Sequence, residues 1–320
     1  MTGLPRIEAA AARIAGHAVI TPMLCAPLLD RVAGRRIWIK AECLQRTGSF
    51  KYRGARAALT LLPPGTRGVL AFSSGNHAQG VALAASELGL TAVIVMPSDA
   101  PAVKIDNTRA YGAEVILYDR ETTDREALGA DLCARRALHL VRPYDDPDII
   151  AGQGTVGLEI AAQAEALGIR SADVIICCGG GGLASGTGLA LAALAPAFRL
   201  HTAEPAGFDD MARSLAAGKI LRNATMTGSV CDAILTPEPG QITFPILRRL
   251  GAKGLVVTDD QALRAMVLAF QHLRLVLEPG GAVALAAALF CDGLAQTVIC
   301  TASGGNVDPT LFRDAIATCA

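Results

Sequence analysis

The pattern of the chain predicts an α/β fold of open, mostly parallel, twisted sheets with helices on both faces. Three observations carry this. Short apolar strand-like runs recur along the chain, Ala/Leu-rich segments of helical length separate most of them, and Gly/Ser-rich turns follow several of the runs. Strands that alternate with helices are joined by crossovers, and crossovers lead to parallel, doubly wound sheets.

The strand-like runs lie at 37–39, 68–72, 92–96, 114–118, 174–178, 255–258 and 297–300, with helical segments at 78–88, 154–167, 183–194 and 259–275. Pro63-Pro64-Gly65 and Asp145-Asp146-Pro147 are turn clusters. They flank a block with strand–helix repeats of its own. The expected organisation is a large domain, 1–51 and 145–320, with a small domain, 52–144, inserted in it. There is no repeat of solenoid period and no low-complexity tail.

Composition narrows the function. The 320 residues include 29 Lys+Arg against 29 Asp+Glu, so net charge points neither to nucleic acid nor to a membrane surface. A small-molecule enzyme is the better expectation. The nine cysteines are odd in number, scattered, and never spaced Cys-x-x-Cys, which argues against a zinc site or a disulfide framework and for reduced thiols in the cytoplasm. The N-terminus lacks the basic-then-apolar pattern of a signal peptide. The uncharged stretch 174–198 is long enough to raise a membrane span, but its four consecutive glycines break any continuous helix.

Lys51, in Thr47-Gly48-Ser49-Phe50-Lys51-Tyr52-Arg53-Gly54, follows a strand-like stretch and precedes an Ala-rich helical pattern. A lysine in a tight, partly apolar turn is a candidate Schiff-base nucleophile, because desolvation lowers its pKa and frees the amine. The turn Gly179-Gly180-Gly181-Gly182 lets several backbone N–H groups converge on one anion at a helix start, and a phosphate is the natural guest. It lacks the Lys-Ser/Thr ending of a nucleotide P-loop and is not Gly-x-Gly-x-x-Gly, which leaves a monophosphate cofactor. A tight strand–helix junction is the alternative.

Ser73-Ser74-Gly75-Asn76-His77 offers hydroxyls, an amide and helix-start N–H groups to a carboxylate, or else ordinary helix caps. Glu204 and Asp210 form an acidic loop that could serve a hard cation or simply be solvated. Glu278, before a buried Ala/Leu helix, reads as a helix-start charge.

Five motifs occur in one order: Lys51 in its Gly-Ser-Phe-Lys-Tyr-Arg-Gly-Ala context, Ser-Ser-Gly-Asn-His, Ile150-Ala151-Gly152-Gln153-Gly154-Thr155, the glycine tetrad, and Ser303-Gly304-Gly305-Asn306. Together, over nearly the whole chain, they resemble the fold-type II pyridoxal-phosphate enzymes, specifically the serine/threonine dehydratase and serine racemase family, whose architecture is tryptophan synthase β-like. The resemblance implies that Lys51 carries pyridoxal 5'-phosphate as a Schiff base and takes the substrate Cα proton. It implies that Phe50 covers one ring face, that Asn76 bonds the phenolic oxygen, and that Ser303 faces the pyridine nitrogen. Gly179, Gly180, Gly181 and Gly182 with Leu183 would hold the phosphate. Ser73, Ser74, Gly75, Asn76 and His77 would receive the substrate carboxylate, with Ser74 the acid/base of the second face. Glu204, the Phe208 carbonyl and Asp210 match the divalent-cation (Mg or Ca) site of the racemase-like branch.

The implied reaction is β-elimination of water from a small hydroxy amino acid, threonine or serine, to a 2-oxo acid and ammonia. A neutral serine at the pyridine nitrogen favours prompt loss of the β-substituent. The segment Val230-Cys231-Asp232-Ala233 departs from the Ala-Asp-Gly run of family threonine dehydratases, which keeps 3-hydroxyaspartate among the candidate substrates. The chain ends soon after its last strand-like run, so a C-terminal effector domain is not expected and amino-acid catabolism is. Racemisation of serine or another amino acid is the closest alternative. A non-catalytic amino-acid-binding protein on the same fold is the alternative from another class. A homodimer is the expected assembly.

Overall fold

The computed structural model describes residues 2–319 apart from Ser74, Pro101, Arg120, Glu121 and Met226. Ten strands are present among them: β1 (Met23–Leu24), β2 (Arg36–Lys40), β3 (Gly68–Phe72), β4 (Thr91–Pro97), β5 (Glu114–Tyr118), β6 (His139–Leu140), β7 (Asp173–Cys177), β8 (Arg199–Pro205), β9 (Lys253–Val257) and β10 (Thr297–Thr301). They form a six-stranded sheet in the order β1-β2-β10-β7-β8-β9 and a four-stranded sheet in the order β5-β4-β3-β6. Only the β1–β2 pair is antiparallel.

Both sheets are covered on both faces. In β7, Val174 and Ile176 pack with the helices Pro147–Ala166 and Gly182–Leu194, whereas Ile175 and Cys177 point into the core shared with the helices Asp259–Leu273 and Pro279–Phe290. The same alternation divides Val69 and Ala71 from Leu70 across the four-stranded sheet. Period-two side chains that are apolar on both faces need helices on both faces. Among the described residues no helix is long and apolar enough to cross a membrane; the uncharged 174–198 stretch is β7, the glycine turn and the Gly182–Leu194 helix.

The structure extends the predicted helix at 154–167 by two turns, to Pro147–Ala166. Asp146 caps it by accepting from the N–H groups of Asp148 and Ile149, and Pro147 takes the first turn, where its missing N–H costs nothing. The turn cluster is therefore a helix start. Glycines inside this helix lower its local propensity, but they allow close approach: a Cβ on Gly154 would lie 2.9 Å from the Gly186 carbonyl oxygen, and one on Gly157 2.7 Å from that of Thr187.

Topology places the turns. Because β10 lies between β2 and β7, the segments leaving the carboxyl ends of those three strands are neighbours. They carry Lys51, the glycine tetrad and Ser303. In open parallel sheets this edge is where ligands bind.

Candidate active site

Lys51 opens the helix Lys51–Leu59, directly after Phe50. The turn before it is stitched to the turn after β10: Phe50 N–H donates to the Ser303 carbonyl at 3.2 Å, and Ser49 bridges Gly304. Thr47 and Gly48 are both left-handed, with φ of 58° and 71°, and the Asn306 side chain occupies the space a Gly48 Cβ would need, 2.7 Å from Oδ1. Glycine is required there both by φ and by crowding.

The Lys51 ammonium donates to the Pro143 carbonyl at 2.9 Å and stands 5.2 Å from the centre of the Phe50 ring. Burial, with no acid to offset it, lowers the amine to about 8. The sequence argument for a desolvated lysine therefore has its counterpart in the fold.

A cavity of about 650 Å³ opens at this point, within the usual range for small-molecule sites. Phe50, Lys51, Ser73, Gly75, Asn76, His77, Leu183, Ser303 and all four glycines of the tetrad line it. Ser74 falls outside the described residues.

The glycine turn lines the cavity and leaves no room for side chains on its far side. A Cβ on Gly180 would overlap the Tyr144 ring, one on Gly179 would lie 2.9 Å from the Ile234 carbonyl oxygen, and one on Gly181 2.8 Å from Met211 Cε. Gly181 has φ of 91° and offers no side-chain cap to the 13-residue helix that begins at Gly182. That helix end lines the cavity with no side-chain cap and no acid in its first turn. A phosphate with a ring that reaches Lys51 fits these residues.

Asn76 begins the helix Asn76–Glu87, its Oδ1 accepting from Asn306 Nδ2 at 2.7 Å and its Nδ2 donating to Glu278. Ser303 is buried, its N–H donating to the Gly281 carbonyl at 3.2 Å and its side chain hydrogen-bonded to the Cys177 thiol. His77 is buried, with Nε2 3.1 Å from the Val141 carbonyl oxygen. Burial first and the Lys51 charge second lower His77 to about 3, so it stays neutral and is a poor proton acceptor.

The acidic loop is separate from this cavity. Glu204, at the end of β8, is buried and accepts from the N–H groups of Met211 and Ala212 at 2.9 and 2.7 Å, which makes it an anchor for the helix Asp210–Ala217. Burial and then the Asp210 charge push its carboxyl well up. Asp210 is raised to about 6, chiefly by burial; Oδ1 accepts from Asn223 at 2.7 Å and Oδ2 has no hydrogen-bond partner among the described residues. Phe208 is buried beside them. Among the described residues no group of three or more His, Cys, Asp or Glu side chains is placed to hold a metal ion.

Sequence reasoning missed several polar residues here. Lys104, on the helix Ala102–Ala110, lines the cavity, buried, with its ammonium 2.7 Å from Asp232. Glu278 is no simple helix-start charge: its side chain makes no cap hydrogen bond and turns towards Asn76 instead. A lone acid between apolar Leu277 and Pro279-Gly280-Gly281 was the available signal.

Comparison with known proteins identifies the family. The family model described as pyridoxal-phosphate dependent enzyme matches residues 14–304. The chain is 44% identical over 306 residues to an L-threo-3-hydroxyaspartate ammonia-lyase of a Pseudomonas species, covering 93% of each. It is 38% identical over 312 residues to a serine racemase of Oryza sativa subsp. indica, covering 94% of this chain and 90% of that one. Among solved structures, a T.th. threonine deaminase superposes with a TM-score of 0.91 at 44% identity, over 96% of this chain and 99% of the other.

Proposed function

The chain belongs to the pyridoxal-phosphate dependent enzymes, and from that premise we propose that it dehydrates and deaminates a small hydroxy amino acid, threonine or serine, with Lys51 holding the cofactor and moving the Cα proton. β-Elimination from hydroxy amino acids is the chemistry of its ammonia-lyase relatives. One observation carries the reading. An amine lowered to about 8 shares a cavity with a glycine cradle that excludes side chains.

When bound, pyridoxal phosphate supplies the electron sink; the chain supplies the rest. The backbone N–H groups of 179–183 hold the phosphate at a helix N-terminus. Phe50 would lie against the ring, and Asn76 would present an N–H to the phenolic oxygen. Ser303, a neutral hydroxyl, would set no counter-charge beside the pyridine nitrogen. The 73–77 turn would take the substrate carboxylate, and Lys51 Nζ would accept the Cα proton. Ser74 is assigned the acid/base role on the opposite face.

A second reading has its own support. The relative at 44% identity is named for 3-hydroxyaspartate, and Arg125 and Arg142, which line the same cavity among acids such as Asp99 and Glu238, are the groups that would meet a second carboxylate. Serine racemase relatives keep racemisation as the neighbouring activity. We also infer a cytoplasmic homodimer, a large domain of 1–51 and 145–320 with 52–144 as the small one, and a divalent cation at Glu204, the Phe208 carbonyl and Asp210. The orphaned Asp210 Oδ2 supports the cation.

The test is a panel of hydroxy amino acids of both chiralities, assayed for 2-oxo acid and for the opposite enantiomer, with and without magnesium. Release of 2-oxo acid from L-threonine or L-serine is expected. Enantiomer interconversion without 2-oxo acid would identify a racemase, and no turnover of any substrate a binding protein.

A further inference from the structure

Behind Asn76 the cavity wall holds a carboxyl to which the reaction above gives no task. Glu278 is buried; Oε1 accepts from Asn76 Nδ2, and Oε2 has no hydrogen-bond partner among the described residues. A Cβ on Gly304 would overlap Oε1, so the backbone closes over the same oxygen. Two charged side chains act on it. Lys104 Nζ, from the helix Ala102–Ala110, is 3.9 Å from Oε2, and Asp232, which holds that ammonium at 2.7 Å, adds its negative charge.

The hydrogen bonds form one directed chain. Asn306 Nδ2 donates to the Thr47 carbonyl at 2.8 Å and to Asn76 Oδ1 at 2.7 Å, and Asn76 Nδ2 donates to Glu278. A backbone carbonyl and a carboxylate can only accept, so the two ends fix both amides in a single orientation. One Nδ2 hydrogen of Asn76 remains, and Asn76 lines the cavity.

We propose that Glu278 is a positioning residue for the cofactor ring, acting through Asn76: its carboxylate holds the amide with the free N–H towards the phenolic oxygen, and its buried charge keeps a proton on the cofactor's phenol–imine pair. A negative charge one amide away disfavours a second negative charge on the ring oxygen, and the interior screens little of that repulsion. Lys104 offsets part of it. Burial raises Glu278 to about 7, against the opposing pull of Lys104 and of the Asn76 hydrogen bond, so its charge changes in the working pH range.

The inference rests on Lys51 holding pyridoxal phosphate, and it is read by colour rather than turnover. Absorbance spectra of the holoenzyme are titrated over roughly pH 5.5–10, above and below the raised carboxyl value. As pH rises the imine loses its proton and its long-wavelength band falls, and the Glu278 charge should delay that loss. Glu278→Gln, which removes the charge, should lower the midpoint by roughly one unit or more. Lys104→Met, which removes the offsetting cation, should move the midpoint up by roughly half a unit or more. It decides alone if the glutamine variant fails to fold. The same midpoint in all three proteins, or a band unchanged across the range in all three, overturns the inference and leaves the proposed function standing; a colourless wild type overturns both.

Discussion

Lys51 is buried without a counter-charge, which lowers its amine to about 8. At an ordinary lysine value about one amine in 3,000 is free at neutral pH; at about 8 the share is roughly one in ten. The sign is that of a depressed cation, so the free-amine form grows as pH rises towards the lowered value and is nearly complete above it. Uptake of pyridoxal phosphate by the apoenzyme should therefore accelerate with pH and level off above about 8, followed by stopped-flow absorbance. Lys51→Ala should cut 2-oxo acid release by about 10³-fold or more, measured in a coupled steady-state assay. The place of Lys51 and the glycines at the cavity was legible because they sit in short turns beside apolar runs; Asn76 and Ser303 stood out only through the family resemblance. Glu278 was not legible, since what gives it meaning is a hydrogen bond to a residue 202 positions away.

At the scale of elements, glycines do two different jobs. In the 179–182 turn they clear space and supply donors; in the helix Pro147–Ala166 they let another helix approach. Gly181→Ala would put a side chain at φ 91° and against Met211. It should weaken cofactor binding at least about tenfold and lower stability by about 1–3 kcal/mol, checked by fluorescence titration and urea unfolding. Gly154→Ala should lower the urea midpoint by a comparable amount while the cofactor spectrum of the folded protein stays as in the wild type, because the helix contact lies outside the cradle. Most of the longer strands were legible from their apolar runs; β8 was not, because Arg199, His201, Thr202 and Glu204 break any apolar run there. The two-residue strands β1 and β6 were not: two residues carry no periodicity, and tertiary pairing alone defines them. The start of the Pro147–Ala166 helix was obscured by the same glycines that its packing needs.

At the scale of the whole molecule, the cavity is lined by turns that leave strands of both sheets, and a buried charge network lies beside Lys51. Arg53, two residues after Lys51, is buried between Glu42 and Glu159, at 2.7 and 2.6 Å, and Lys40 reaches Glu159 from β2. Arg53→Met should destabilise the protein by about 3–5 kcal/mol in urea unfolding, because it strands buried Glu42 without its cation, whereas Glu159 keeps Lys40. This network lay beyond sequence reasoning: its members come from four separate segments, and their charges look ordinary until burial joins them. The strand–helix alternation was enough to indicate parallel sheets, whereas the insertion of β10 between β2 and β7, which brings lysine, glycines and serine together, exists only in three dimensions.

The central claim is that Lys51 is the attachment point of pyridoxal phosphate in this cavity. Borohydride reduction of the holoenzyme, followed by proteolysis and peptide mass mapping, tests it most directly. The account predicts a single pyridoxyl-phosphate label, on the peptide carrying Lys51 and absent from Lys51→Ala. A label on another lysine such as Lys104, or no label on a coloured protein, would contradict it.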